Sequence, residues 1–275
     1  VKHLLLALTC LFVLSGPAHA ERARMTAQET YELGLRHLKQ GAYTKALETL
    51  NRVRTYFRDD PYALKAELAI AEIHFKKNEW DLAQISYDEF LKAHPRYRDP
   101  SGNKQDVDYV MYRLGLTQFK KAPAFAARDQ TATRQAVDTW TRFGARFQDS
   151  DWRDEVDVDL GKAQARLARK ELIIARFYER REAWTAVSGR IEPLLRLWPN
   201  SPDTVEALGR LGAAYVHQGD EDRAVLVVQR LQSLPNHAPA LARIDRARAA
   251  VARDAVKKAR KLAKGEKEAA PTATP

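Results

Sequence analysis

Cysteine is almost missing from this chain. One residue, Cys10, stands alone among 275, which excludes an internal disulfide framework and any CxxC metal or redox pair. Glycine is sparse at 12 residues, turn dipeptides are few, and no stretch alternates with period two for long, so a sheet-based fold is excluded. Beyond residue 20 no apolar run approaches the ~20 residues of a membrane-spanning helix. Of the seven histidines, no two share the i, i+4 spacing of a helical metal site, and HExxH is absent. A Gly-rich phosphate loop, a GxSxG elbow and a Ser-His-Asp order are missing too, so no catalytic residue, metal or cofactor is expected.

What is present is helical periodicity. Apolar residues make up 45 % and charged residues 30 % of the chain, a balance of neither a disordered polymer nor a membrane bundle. The stretch from Tyr62 to Pro95 holds two amphipathic segments. Leu64, Leu68, Ala71 and Phe75 recur at steps of four and three, as do Trp80, Ala83, Tyr87 and Phe90, and that spacing predicts two helices with one buried face each. Lys76, Lys77 and Asn78 suit the turn, and Pro95 stops the second helix. Small Ala71 and Ala83 fit close helix approach beside the large Trp80, Tyr87 and Phe90. The pattern resembles a tetratricopeptide (TPR) repeat, whose period is ~34 residues.

The same device recurs along the chain, giving an all-α, TPR-like superhelix of about five helix-turn-helix repeats. Units are expected near 26–60, 61–96, 103–148, 151–200 and 201–236, with a capping helix at 238–252. In the first, Leu33, Gly34, Gly41, Tyr43, Ala46 and Leu50 take repeat positions. The third opens with DYVMYRLGL at 108–116 and carries an insertion, Lys121 to Thr133, before Ala136, Trp140 and Phe143. The fourth begins with an unusually long helical span, Asp151 to Glu182. Its partner segment, Ala183 to Trp198, takes Ala186 as its small packing position. Leu208, Leu211, Gly212, Tyr215, Gly219 and Ala224 mark the fifth. His37 and His74 stand 37 residues apart in the slot that Tyr215 fills, and read as repeat-position side chains. Glu155, Asp157 and Asp159 crowd a helix start, where the helix dipole favours negative charge.

Residues 1–20 read as a signal peptide: Lys2 and His3, the apolar Leu4 to Leu14, then Ala18-His19-Ala20 with small residues at the two inspected positions. The mature chain is expected to begin near Glu21 and to be exported. Cys10 reads as a small apolar residue of the signal core, with acylation as the alternative.

The formal charge is +10. Interleaved acids, as in Glu179-Arg180-Arg181-Glu182, make most of it an ordinary solvated surface, and export removes the chain from cytoplasmic nucleic acid, so no nucleic-acid partner is expected. The exception is a basic tail read as partly disordered, 253–275. There Arg253, Lys257, Lys258, Arg260, Lys261, Lys264 and Lys267 face only Asp254, Glu266 and Glu268, seven against three. An anionic membrane surface is one target for it, a solubilising role the other.

Several longer runs carry a more specific resemblance: YELGLRHLKQGAYTKALETL at 31–50, DVDYVMYRLGL at 106–116, ARDQ at 127–130, RFQDSDWRDEVD at 146–157, and RLARKELIIARFYERREAWTAVSGRIEPLLRLWP at 166–199. Over about Thr26 to Leu231 the chain resembles the BamD family of outer-membrane assembly factors, TPR lipoproteins of the β-barrel assembly machinery. It departs from that family at the signal, which lacks a typical lipobox, and in the basic tail. The resemblance implies a non-catalytic scaffold at the periplasmic face of the outer membrane. Its amino-terminal repeats would receive targeting segments of unfolded outer-membrane proteins. Its carboxy-terminal repeats would dock the POTRA region of the barrel translocase.

On that basis Tyr31, His37, Tyr62, Lys65 and His74 are candidates for peptide binding, being aromatic and hydrogen-bonding groups on the first helices of units one and two. Arg190 matches the family's arginine contact to a POTRA carboxylate, and Glu192 and Arg196 accompany it as partner-binding candidates. A periplasmic TPR adaptor of another envelope pathway, cell division or peptidoglycan synthesis, is the competing reading. It shares export, repeats and basicity but does not require DYVMYRLGL or the insertion.

Overall fold

A computed structural model describes residues 25–99, 102 and 105–269, except for the side chains from 265 onward. The signal segment and Cys10 therefore lie outside the described residues. Eleven helices and no strand occur among those described: α1 Ala27–Lys39, α2 Tyr43–Tyr56, α3 Pro61–Lys76, α4 Trp80–Ala93, α5 Val107–Lys121, α6 Thr131–Arg146, α7 Arg153–Glu179, α8 Trp184–Leu197, α9 Thr204–Gln218, α10 Glu221–Gln232 and α11 Ala238–Ala269. They divide between two compact units, Val1–Asn103 and Lys104–Pro275.

Local chemistry sets the helix ends. Thr26 and Glu29 form a reciprocal cap at α1, with the Glu29 N–H donating to Thr26 Oγ1 at 3.2 Å and the Thr26 N–H to Glu29 Oε2 at 2.8 Å. Asp60 accepts from the Tyr62 N–H at 2.8 Å and Pro61 occupies the first turn of α3. The hairpin turns share one device. Gly41, Asn78, Glu182 and Gly219 all take left-handed φ, at 73°, 59°, 56° and 77°. Each stands two residues before the start of a second helix: Tyr43, Trp80, Trp184 and Glu221. Glycine and asparagine tolerate this conformation, whereas glutamate adopts it at a cost.

Three residues into those helices stand Ala46, Ala83, Val187 and Ala224, all fully buried. The fourth repeat's packing residue is thus Val187, one position later than Ala186, which is only half-buried. Val187 to Ala224 is 37 residues, the same interval as Ala46 to Ala83.

In the first unit, Ala46, Leu50 and Val53 of α2 pack with Ala66, Ala69, Ile70 and Ile73 of α3. Leu68 and Ala71 are buried as well, so α3 is enclosed on more than the single face that Leu64, Leu68, Ala71 and Phe75 suggest. Leu64 and Phe75 are only half-buried. Tyr87 of α4, fully buried, donates its hydroxyl to Glu72 Oε1 at 2.5 Å.

The second unit opens with α5 lying against α6. Gly115 lets α5 approach the fully buried Trp140, whose indole N–H donates to the Tyr112 carbonyl at 3.3 Å. Thr139 donates to Gln118 Oε1 at 2.9 Å. Two of the distinctive runs meet here. Tyr109 and Tyr112 flank Trp152 with ring centroids 4.9 and 5.7 Å away, and Ser150 donates to Asp108 at 2.6 Å. Within the inserted segment Gln130 is fully buried. Its amide donates to the Pro123 and Phe125 carbonyls at 3.1 and 3.2 Å and its oxygen accepts from Thr133, which satisfies the backbone of a loop lacking its own ladder.

Farther on, α9 packs with both α8 and α11, and Leu208, Ala214, Ile191, Leu194, Leu231 and Ile244 share one buried core. Helix α11 continues to Ala269, well past the boundary at 252 that composition suggests. The alanine, lysine and arginine that read as a polar tail are strong helix formers, and no proline intervenes before Pro271.

Candidate functional site

In the first unit the structure brings together three of the five peptide-binding candidates. Tyr31 of α1 and Tyr62 of α3 have ring centroids 5.4 Å apart, and the Lys65 ammonium sits 4.9 Å from the Tyr62 centroid. Asp99, which the sequence does not single out, completes the group. Its carboxylate is 3.7 Å from Lys65 Nζ, and its side chain is 2 % exposed. The Tyr31 hydroxyl is pushed up to about 12, first by burial and then by the Asp99 charge and Tyr62. Segment 94–99 reaches this point because Tyr97 packs edge-on against Phe90, 5.1 Å between centroids. A groove of about 430 Å³ lies alongside, lined by Pro61, Leu64, Tyr97 and Arg98 among others. The cluster thus presents two rings and a Lys65–Asp99 ion pair beside a groove of mixed apolar and charged lining.

The two histidines are placed elsewhere. His74 lies about 18 Å along α3 from Tyr62 at 1.5 Å per residue, and its Nδ1 meets Glu79 Oε2 at 2.7 Å across the turn. His37, half-buried, belongs to the last turn of α1.

In the second unit Arg190 is 46 % exposed and reaches Glu171 of α7 at 3.4 Å. Glu192 faces a different neighbour. It accepts from the Tyr215 hydroxyl at 2.9 Å and lies 3.6 Å from Arg223, so it braces α8 against the next hairpin. That bond, after burial, raises the Tyr215 hydroxyl to about 12. Arg196 is exposed in the last turn of α8. Arg190 and Glu192 point about 160° apart around the helix by their two-residue spacing, so the three candidates do not form one cluster.

Sequence reading missed an ion-pair network linking α7, α9 and α11. Arg176 donates to Glu206 through Nε and Nη2, at 2.9 and 2.6 Å. Arg210 pairs with Glu206 and Glu179, and Arg243 reaches Glu179 at 2.9 Å. Burial, with Arg243 and Arg176 nearby, lowers Arg210 to about 10, which leaves it charged at neutral pH. Beside it, Arg169 holds the nearly buried Asp203 at 2.6 Å. Within the network only Glu206 and Arg210 stand four apart on one helix, a spacing that a sequence can signal. In the acidic run at the start of α7, Asp157 pairs with Arg153 and Asp159 with Lys162, both at 2.8 Å.

The model of the family described as YfiO, outer membrane lipoprotein, matches residues 23–231. The chain belongs to this family. Relatives described as "Outer membrane protein assembly factor BamD" include one from Pasteurella multocida, 26 % identical over 228 residues that cover 80 % of this chain and 85 % of the relative. Another, from Xylella fastidiosa, is 26 % identical over 250 residues, 86 % and 83 % of the two chains. Among solved structures, the TPR2AB domain of yeast Sti1 in its pHSP90 complex aligns over 82 % of this chain and 84 % of that one, at 15 % identity and a TM-score of 0.39. The YfiO match spans α1 through nearly all of α10 and stops before α11, so that helix lies outside the matched region. Among the described residues no helix is long and apolar enough to cross a membrane.

Proposed function

We propose that this protein is a non-catalytic scaffold of outer-membrane β-barrel assembly, acting at the periplasmic face of the outer membrane. Family membership over residues 23–231, with relatives named as outer-membrane protein assembly factors, carries the reading. The first unit receives the targeting segment of an unfolded outer-membrane protein at Tyr31, Tyr62 and Lys65. An extended peptide ending in an aromatic residue and a carboxylate suits two rings beside an ammonium and an adjoining groove. His37 and His74 belong to the same helices at more distant turns and serve longer peptides.

The second unit docks the POTRA region of the barrel translocase through Arg190 and Arg196, whose exposed guanidinium forks suit carboxylates bidentately. Glu192 contributes by fixing α8 on Tyr215.

Titrating peptides that end in an aromatic residue against the chain from Glu21 to Pro275 tests the first half. Weak binding lost in Tyr62→Ala and Lys65→Ala is expected. Binding that survives both changes and is lost only on altering the second unit overturns it.

A further inference from the structure

Helix α11 has two halves of different character. Ala240, Ile244 and Ala247 are buried in the core of the second unit, yet from Val251 to Lys264 every residue is exposed. From Val251 to the helix end at Ala269 this half is about 27 Å long at 1.5 Å per residue.

Its residues are sorted by chemistry around the axis. At about 100° per residue, Val251, Ala252, Ala255, Val256, Ala259, Leu262 and Ala263 share one arc of about 140° with no charged residue of 251–264 inside it. Arg253, Lys257, Arg260, Lys261 and Lys264 occupy the opposite side, and Lys258 flanks the arc on its other edge. Six basic residues stand against the single Asp254, a net of +5 over 251–264. The large apolar members are open to solvent, Val256 at 51 % and Leu262 at 60 %.

We infer that the distal half of α11 lies in the plane of an anionic phospholipid surface, apolar arc inward, with Arg253, Arg260 and Lys258 extending their stems to the headgroups. Charge complementarity selects this occupant. An arc made mostly of alanine is too shallow to hold neutral lipid unaided, whereas the polybasic side adds attraction for each charge near an anionic surface. Membership of an outer-membrane lipoprotein family puts such a surface within reach. The helix itself lies beyond the matched region, so this is a property of the present chain. It does not depend on which proteins the repeats hold.

The chain from Glu21 to Pro275 contains every described residue and no cysteine, so Ala259→Cys and Lys257→Cys can each carry one environment-sensitive dye. Vesicles of phosphatidylethanolamine with phosphatidylglycerol are compared with phosphatidylcholine alone. A blue shift is expected for the dye at 259, on anionic vesicles only, and a much smaller one at 257. The triple change Arg253→Glu, Lys257→Glu and Lys261→Glu should lower vesicle partitioning on the order of tenfold or more, with circular dichroism unchanged. Equal shifts at both sites or on both lipids would overturn the inference. So would an absence of vesicle binding, including the case where light scattering finds the arc paired with a second copy instead.

Discussion

Trp184 and His217 stack face to face, with ring centroids 3.9 Å apart and planes 2° from parallel. The contact ties the start of α8 to the end of α9, and Gln218 reinforces it by donating to the Trp184 carbonyl at 3.0 Å. Burial holds the His217 pKa below its ordinary 6.5, with Glu182 and Asp254 pulling weakly the other way. The unfolded chain therefore binds this proton first, so the stability present above pH 6.5 is lost as pH falls below it. Denaturant midpoints compared at neutral and mildly acidic pH should show the loss. His217→Phe, which keeps the stack but cannot titrate, should reduce it.

Glu182 occupies a left-handed turn position that glycine or asparagine fills in three sister hairpins. It is exposed, so Glu182→Gly should relieve backbone strain and stabilise the second unit by about 0.5–1 kcal/mol. A thermal melt that moves downward would show that the glutamate side chain contributes more than its backbone costs.

Two helical glycines should respond in opposite directions. A Cβ at Gly115 would stand 2.7 Å from Trp140 Cε2, and a fully buried indole has little room to retreat, so Gly115→Ala should cost about 1–3 kcal/mol. Gly189 in α8 has nothing within 4 Å of that position. Gly189→Ala should gain roughly 0.5–1 kcal/mol from helix propensity. Equal effects in urea unfolding would contradict the close approach of α5 to α6.

Asp99 already satisfies the Lys65 ammonium in the free protein, so an incoming peptide carboxylate must compete with it. Asp99→Asn should tighten binding of aromatic-ended peptides severalfold, by isothermal titration, while Lys65→Ala weakens it. A peptide indifferent to both changes binds elsewhere.

The hairpin from Tyr62 to Pro95 announces itself because Trp80, Ala83, Tyr87 and Phe90 keep a strict helical step, and α4 spans Trp80–Ala93. Spacing alone erred where neighbouring residues are both plausible packers. Ala186 is smaller than Val187, yet counting from the turn at Glu182 selects the valine. Pro193 gives no stop signal in practice, since α8 passes through it to Leu197. Apolar residues such as Val158 and Phe177, 57 % and 42 % exposed, were unreadable because a helix packed on two sides still leaves a solvent edge. Asp99 was missed for a different reason. Its partner Lys65 lies 34 residues earlier, and such a pairing is made by tertiary folding alone. For the partner candidates, the family resemblance drew attention to Arg190, but only the structure separates it from Glu192, which is engaged with Tyr215.

The central claim, that this chain serves barrel assembly through a surface bearing Arg190, is tested most directly by affinity capture from native envelope with the unaltered protein and Arg190→Glu. Arg190 is exposed and its pair with Glu171 is a surface contact, contributing roughly 0–1 kcal/mol, so the variant should keep its helical content and melt nearly normally. The account predicts that the unaltered protein recovers a barrel-and-POTRA translocase and that Arg190→Glu does not. Recovery of a peptidoglycan synthase or division protein instead, or undiminished translocase recovery by the variant, would contradict it.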